Sequence, residues 1–299
     1  MLCHLDHATP KSPNMSRKLL VGLLLLATAK VASAQDNVEI TGDVVYGHKF
    51  GLALTFDVYK PKENPNGVGA LFMVSGGWHS RWSPPEQRMS LFKPLIDKGF
   101  TVFAVRHGSS PKFSIPEAVE DVRRSVRFIR LHAKRFGIDP QRLGVFGASA
   151  GGHLSLMLGT ASDKGNAESR DPVLRVSDRV QAVVAWVAPT DLRIMVWDAP
   201  DHLPAYNRYP ALDLDLKRAK EVSPIVHVTP DDAPTLLVVG QKDELVPIKH
   251  SQDIHVAFES KKVISKLVVL PDAGHGFQGK DKAAAVQALV DWFEKHLAE

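Results

Sequence analysis

An α/β fold on a mostly parallel sheet is predicted by three observations. Short β-branched or apolar runs alternate with segments of helical spacing from about residue 70 onward. Most of these runs are apolar throughout rather than alternating, which marks strands covered by helices on both faces. The 299-residue chain is 44% apolar and has no repeat, low-complexity tract or long linker, so a single domain with a sizeable core accommodates it.

Residues 1–34 read as a secretory leader. Met15, Ser16, Arg17 and Lys18 precede LLVGLLLLATA and then the small-residue stretch VASAQ, placing charged, apolar and cleavage regions in order, with cleavage expected after Ala34. Residues 1–14 resemble no targeting segment, so Met15 is a possible true start. The apolar run at 19–29 falls well short of the roughly 20 residues a spanning helix needs. No stable membrane anchor is expected, and the mature chain, residues 35–299, is placed outside the cell or in the periplasm.

The leader carries Lys11, Arg17, Lys18 and Lys30 against Asp6, so most of the net charge of +4 leaves with it. The remainder is nearly balanced, and nothing argues for a nucleic-acid partner. The single cysteine, Cys3, also leaves. Disulfides, thiolate catalysis and cysteine-ligated zinc are thereby excluded from the mature chain.

Along the mature chain, residues 38–59 read as an antiparallel β lead-in. Buried strands follow at ALFMVS (70–75), FTVFAV (100–105), RLGVFG (142–147), VQAVVAWV (180–187), TLLVVG (235–240) and KLVVL (266–270). Helices are expected at about 86–98, 116–136, 151–161, 247–260 and 280–297. The clearest is 116–136, where Val119, Val122, Val126, Ile129 and Ala133 recur at three- and four-residue steps beside an Arg/Lys-rich face. Pro116 and Gly137 punctuate its ends, and Asp121 is expected to pair with the neighbouring arginines. Between 191 and 223 the rhythm gives way to an irregular insertion rich in Pro, Asp, Tyr and Leu. It reads as a small cap or pocket wall, against the plainer alternative of a decorated surface loop.

The stretch GASAGGH at 147–153 holds the chemistry. A G-x-S-x-G pattern alone is common, but here RLGVFG runs directly into it and HLSLMLGTA runs out, giving the strand, sharp turn and helix of a nucleophile elbow with Ser149 at its tip. A serine hydroxyl needs a base and an orienting carboxylate, in the chain order Ser, acid, His for this topology. Asp243 lies just past the run TLLVVG and His275 just past KLVVL, as that order requires. Read separately, Asp243 is a helix N-cap ahead of Leu245 and His275 a turn residue between glycines. Glu244 and Asp272 are the rival acids. Backbone N–H groups of Gly76 and Gly77, after ALFMV, and of Ala150 are expected to form the oxyanion hole. Trp78 and Trp82 beside that loop are candidate substrate contacts, and Trp197, Tyr206 and Tyr209 could line the same pocket or pack as core. His79, His107 and His153 read as packing or pocket-rim residues.

With these residues in place the sequence resembles the α/β-hydrolase superfamily, and within it the carboxylesterase branch of hormone-sensitive-lipase-like and bacterial feruloyl-esterase-like proteins. The carriers are DVYKP (57–61), SGGW (75–78), GIDPQRLGVFGASAGGHLS (137–155), SPIVHV (223–228), GQKDELVP (240–247) and AGHGF (273–277). The resemblance implies hydrolysis of carboxylic esters, small or polymer-linked, through an acyl-enzyme without metal or cofactor. One departure stands out. Such esterases commonly carry His-Gly-Gly-Gly at the oxyanion loop, where this chain has Val74, Ser75, Gly76 and Gly77, so the histidine that helps hold the loop does not carry over.

Two other readings compete. A prolyl-oligopeptidase-type peptidase shares the machinery but usually carries a large N-terminal domain, for which residues 35–69 leave no space. A non-catalytic binding protein on this scaffold would be expected to lack a triad member, and none is missing. Hydride transfer is excluded because no G-x-G-x-x-G follows the first strand.

Overall fold

The computed structural model of the protein describes residues 37–298. The expected leader and the alternative start at Met15 lie outside the described residues.

The chain begins with the expected antiparallel hairpin, β1 (Val38–Lys49) and β2 (Leu52–Pro61). Phe50 and Gly51 at its tip both have positive φ, 47° and 78°, the two-residue turn whose twist suits paired strands. The six buried runs become β3 (Gly69–Met73), β4 (Thr101–Val105), β5 (Leu143–Ala148), β6 (Ala182–Trp186), β7 (Thr235–Gly240) and β8 (Ser265–Leu270). The described residues build an eight-stranded sheet in the order β1-β2-β4-β3-β5-β6-β7-β8, parallel from β4 onward and antiparallel where β2 meets its neighbours.

Alternation within the strands feeds two cores. Phe103, Val145, Val183 and Leu237 point to one face, packed under α2 (Ile115–Leu131), α4 (Ala150–Thr160) and α6 (Lys249–Ser260). Phe146, Val184, Leu236 and Val238 point to the other, under α1 (Met89–Ile96) and α7 (Gly279–Phe293). Every residue of β4, β6 and β7 is buried, which is why these strands read as unbroken apolar runs. This is the α/β-hydrolase fold.

Two helices differ from expectation at their ends. The segment at 86–98 opens with a 3-10 turn, Pro85–Arg88, because proline suits a first turn whose N–H groups are unpaired anyway. The long helix breaks at His132, and a short α3 (Ala133–Phe136) ends on Gly137 in the left-handed conformation. Its start is firmer: the Glu117 carboxylate accepts the Ser114 backbone N–H at 2.9 Å, one half of a capping box.

Asp121 does not pair with the arginines of its own helix. It meets Lys49 at 2.8 Å and the Gly108 N–H at 2.9 Å, tying the hairpin and the loop after β4 to α2. The arginines sit elsewhere around the helix and turn to the 163–179 loop, where Arg124 meets Asp171 at 2.5 Å and Arg127 meets Asp163 at 2.5 Å. Residues on one helix reach only what lies beside their own face, and the face of Asp121 is turned to β1.

The 191–223 segment condenses into 3-10 turns at Leu192–Ile194, Pro204–Arg208 and Pro210–Leu212, and a short α5 (Leu216–Glu221). Leu192, Val196, Tyr206, Leu212 and Val222 are buried in it, so it packs as part of the body rather than decorating the surface.

Candidate active site

The parallel topology places the loops after β3, β5, β7 and β8 at one edge of the sheet, where open α/β sheets bind ligands. Ser149 sits between β5 and α4 with φ 54° and ψ −123°, a conformation that costs an L-residue roughly 1–3 kcal/mol and persists only if the surroundings enforce it. They do so by crowding. A Cβ on Gly147 would lie 2.5 Å from the Gly151 carbonyl carbon, and one on Gly151 would lie 2.5 Å from the Met73 carbonyl oxygen. Both positions must be glycine for the turn to close, and the Ser149 N–H is anchored on the Trp186 carbonyl at 2.8 Å.

From the hydroxyl a hydrogen-bonded chain runs inward. Ser149 Oγ lies 2.9 Å from His275 Nε2, and His275 Nδ1 lies 2.9 Å from Asp243 Oδ2 and 3.2 Å from Oδ1. A carboxylate only accepts, so Nδ1 carries the proton and Nε2 accepts from the serine. The Asp243 side chain is fully buried, and its Oδ1 also accepts the N–H groups of Leu245 at 3.0 Å and Val246 at 2.8 Å. One Asp243 carboxylate thus both accepts the two backbone N–H groups ahead of it and meets the His275 ring. Of the rival acids, Glu244 is exposed and Asp272 faces Lys242 at 3.0 Å on the surface.

The loop after β3 places its donors differently from expectation. Gly76 gives its N–H to the His79 carbonyl at 3.1 Å in a small antiparallel bridge, so it is not available to an oxyanion. Among the described residues, no protein acceptor takes the N–H of Gly77 or of Ala150 at the start of α4. Gly77 (φ 55°) must also be glycine because a Cβ there would lie 2.7 Å from the Tyr209 ring.

A small pocket opens beside Ser149 and Gly77, walled by Trp78, Met195, Tyr206, Tyr209, Leu212 and Leu245. Four of these six come from the irregular insertion. The wall is apolar apart from the Tyr206 and Tyr209 phenols and the Trp78 indole; burial, with the Asp243 carboxylate nearby, pushes the Tyr206 phenol up to about 12, so it remains a donor. Trp82 takes no part. It is 60% exposed and its indole reaches Asp43 at 3.3 Å, because the chain turns away at Trp78 and Ser80 is held by Ser109. Trp197 likewise stands outside, donating to the Tyr206 carbonyl. Met195, Leu212 and Leu245 carried no signal in the sequence, since an apolar residue in an irregular segment looks the same whether it faces a core or a pocket.

Among the described residues, three histidines outside the chain of Ser149 are buried, His107, His153 and His250, and burial lowers each from 6.5 to about 4. Between those values the unfolded chain binds more protons than the folded one, so stability falls as the pH drops from about 6.5 toward 4 and levels off below. Each site contributes at most about 3 kcal/mol of this acid lability. The urea midpoint should therefore decline steeply over that window, and less steeply in His250→Asn. An equally steep decline in the variant would remove His250 from the account.

Among the described residues no three His, Cys, Asp or Glu side chains are grouped to hold a metal ion, and no helix is long and apolar enough to cross a membrane.

A family model described as BD-FAE matches residues 56–258. A protein named "Probable carboxylic ester hydrolase LipM" from Mycobacterium tuberculosis is 28% identical over 84% of this chain and 60% of its own length. The chain spans about three fifths of the mycobacterial relatives it matches. Among solved structures, a truncated carbohydrate esterase from gut microbiota superposes with a TM-score of 0.72 at 22% identity, covering 89% of this chain and 99% of that one. A Thermogutta terrifontis esterase with butyrate bound gives 0.68 at 23% identity, covering 87% and 94%.

Proposed function

The chain belongs to the BD-FAE family, in the carboxylesterase branch of the α/β-hydrolases, and from that premise we propose that it hydrolyses carboxylic esters of short acyl chains through an acyl-enzyme on Ser149. The observation that carries this reading is the continuous hydrogen-bonded chain from Ser149 through His275 to buried Asp243, opening on a small, largely apolar pocket.

His275 Nε2 takes the Ser149 proton as Oγ attacks the ester carbonyl. The oxygen of the tetrahedral intermediate becomes negative and is met by the N–H groups of Gly77 and Ala150, the second at the positive end of α4. Collapse expels the alcohol, which receives the proton from His275. Water then repeats the sequence on the acyl-enzyme and releases the acid. Throughout, the Asp243 carboxylate holds the Nδ1–H and stabilises the imidazolium.

The bulky side chains of Met195, Tyr206, Tyr209 and Leu212 leave little room beside Ser149, which supports a short acyl group. Butyrate in the Thermogutta relative is consistent with this. With p-nitrophenyl esters from acetate to octanoate, kcat/KM should peak at two to four carbons. Leu212→Ala should move the peak to longer chains, each additional buried methylene being worth roughly 1 kcal/mol. A peak at octanoate, or none in any ester, would overturn the acyl-pocket assignment or the esterase reading respectively.

Export is part of the proposal and rests on residues 1–34. N-terminal sequencing of the exported protein should begin at Gln35; intact chain retained in the cytoplasm would overturn it.

A further inference from the structure

We propose that His153 is the positioning residue of the oxyanion hole: through Trp78 it holds the loop that presents the Gly77 N–H, taking over the task of the histidine this chain lacks at Val74. The inference rests on the esterase reading above.

The loop needs a hold. Gly77 and Trp78 are consecutive residues with positive φ, 55° and 56°. Glycine adopts this freely, but for a bulky L-residue it is a strained outlier that neighbours must enforce. Released, the Trp78 backbone would relax toward negative φ, and the change would pass back through Gly77, also held at positive φ, to the peptide that carries its N–H. A donor displaced by about 1 Å no longer meets the developing charge.

His153 supplies the enforcement. The Trp78 indole N–H donates to His153 Nδ1 at 3.1 Å, and the two rings meet edge to face at 5.4 Å. The other nitrogen, Nε2, lies 2.7 Å from the Val222 carbonyl. An indole only donates and a carbonyl only accepts, so the imidazole is neutral with its proton on Nε2. Full burial keeps it in that form at neutral pH. A residue able to accept at one end and donate at the other, at these positions, is what the site requires.

The location gives the tether its effect. His153 stands one turn into α4, its N–H on the Ser149 carbonyl at 2.9 Å. The helix that carries the nucleophile at its cap and the Ala150 donor in its first turn therefore also sets the second donor. Val222 closes the 191–223 segment, so the pocket wall is referenced to the same imidazole. A second bond steadies the loop from the other side: Ser75 Oγ lies 2.9 Å from His107 Nε2.

The test compares His153→Asn, His153→Gln, Trp78→Phe and the Trp78→Phe/His153→Gln double variant. Asparagine retains an acceptor near the place of Nδ1 and glutamine only a donor near Nε2. His153→Gln should lose on the order of 10²-fold in kcat on p-nitrophenyl acetate with KM little changed, the sign of an interaction realised in the transition state. His153→Asn should lose far less. Trp78→Phe, which removes the indole donor, should show a similar kcat loss, and the double variant should be no worse than either single one, since both cut the same bond. Equal losses in Asn and Gln, or additive losses in the double variant, would overturn the proposal. Indole N–H exchange of Trp78, slow in the wild type and fast in His153→Gln, reads the tether without any substrate. An inert wild type with the exchange difference intact would sink the esterase reading and leave the tether standing; equal exchange would sink the tether.

Discussion

Ser149→Ala should lower kcat by about 10⁵-fold or more, leaving only the rate that binding and the oxyanion donors provide. The substitution removes one oxygen and little else. Alanine tolerates the φ of 54° no better and no worse than serine, and Gly147 and Gly151 still close the turn. The fold should be unaffected, and the loss is chemical. Hydrolysis of p-nitrophenyl acetate by the purified proteins measures it. An organophosphate triester gives an independent reading, because Oγ is the atom that would be phosphorylated: mass spectrometry should find one phosphoryl adduct on the wild-type peptide containing Ser149 and none on the variant. A variant retaining more than a trace of activity, or an adduct on another peptide, would move the nucleophile elsewhere.

Asp243→Asn should cost about 10⁴-fold in kcat at neutral pH, through the tautomer of His275. The direction follows from the contacts. Oδ1 receives two backbone N–H groups, from Leu245 and Val246, and the amide of asparagine will turn its carbonyl oxygen to them. Its NH₂ then occupies the place of Oδ2, 2.9 Å from His275 Nδ1. Donor facing donor is unfavourable, so the imidazole moves its proton to Nε2, the atom that must accept from Ser149. Geometry survives while the base is lost. Glu244→Gln and Asp272→Asn change exposed carboxylates outside the chain of contacts and should remain near wild type. Were Asp272→Asn the damaging variant, the acid would have to be reassigned.

Which residues could be read from the sequence follows from how local their contacts are. Ser149 was legible because strand, small-residue turn and helix are contiguous, and the turn has no room for side chains at 147 and 151. Asp243 and His275 were legible because each directly follows an apolar strand, and parallel strands deliver their following loops to one edge. The chain does not show which loop atoms remain free at that edge. Gly76 spends its N–H on His79, three residues on, while Gly77 does not; both are glycines in the same run.

Side-chain partners were least legible. Trp78 and Trp82 are four residues apart and look equivalent, yet a positive φ at Trp78 sends one indole to His153 and the other to Asp43 at the protein surface. Asp121 stands among arginines in the sequence but meets Lys49 across the hairpin.

By itself the sequence determined the parallel α/β architecture, the strand–turn–helix at Ser149, and the placing of Asp243 and His275 just past two strands, because hydrophobic periodicity and turn sterics act over a few neighbouring residues. Only the tertiary structure decided which N–H groups face the site, which insertion residues wall the pocket, and that His153 grips Trp78 from 75 residues away. Those contacts form between segments remote in the chain, where packing of the whole fold, and no local pattern, sets the distance.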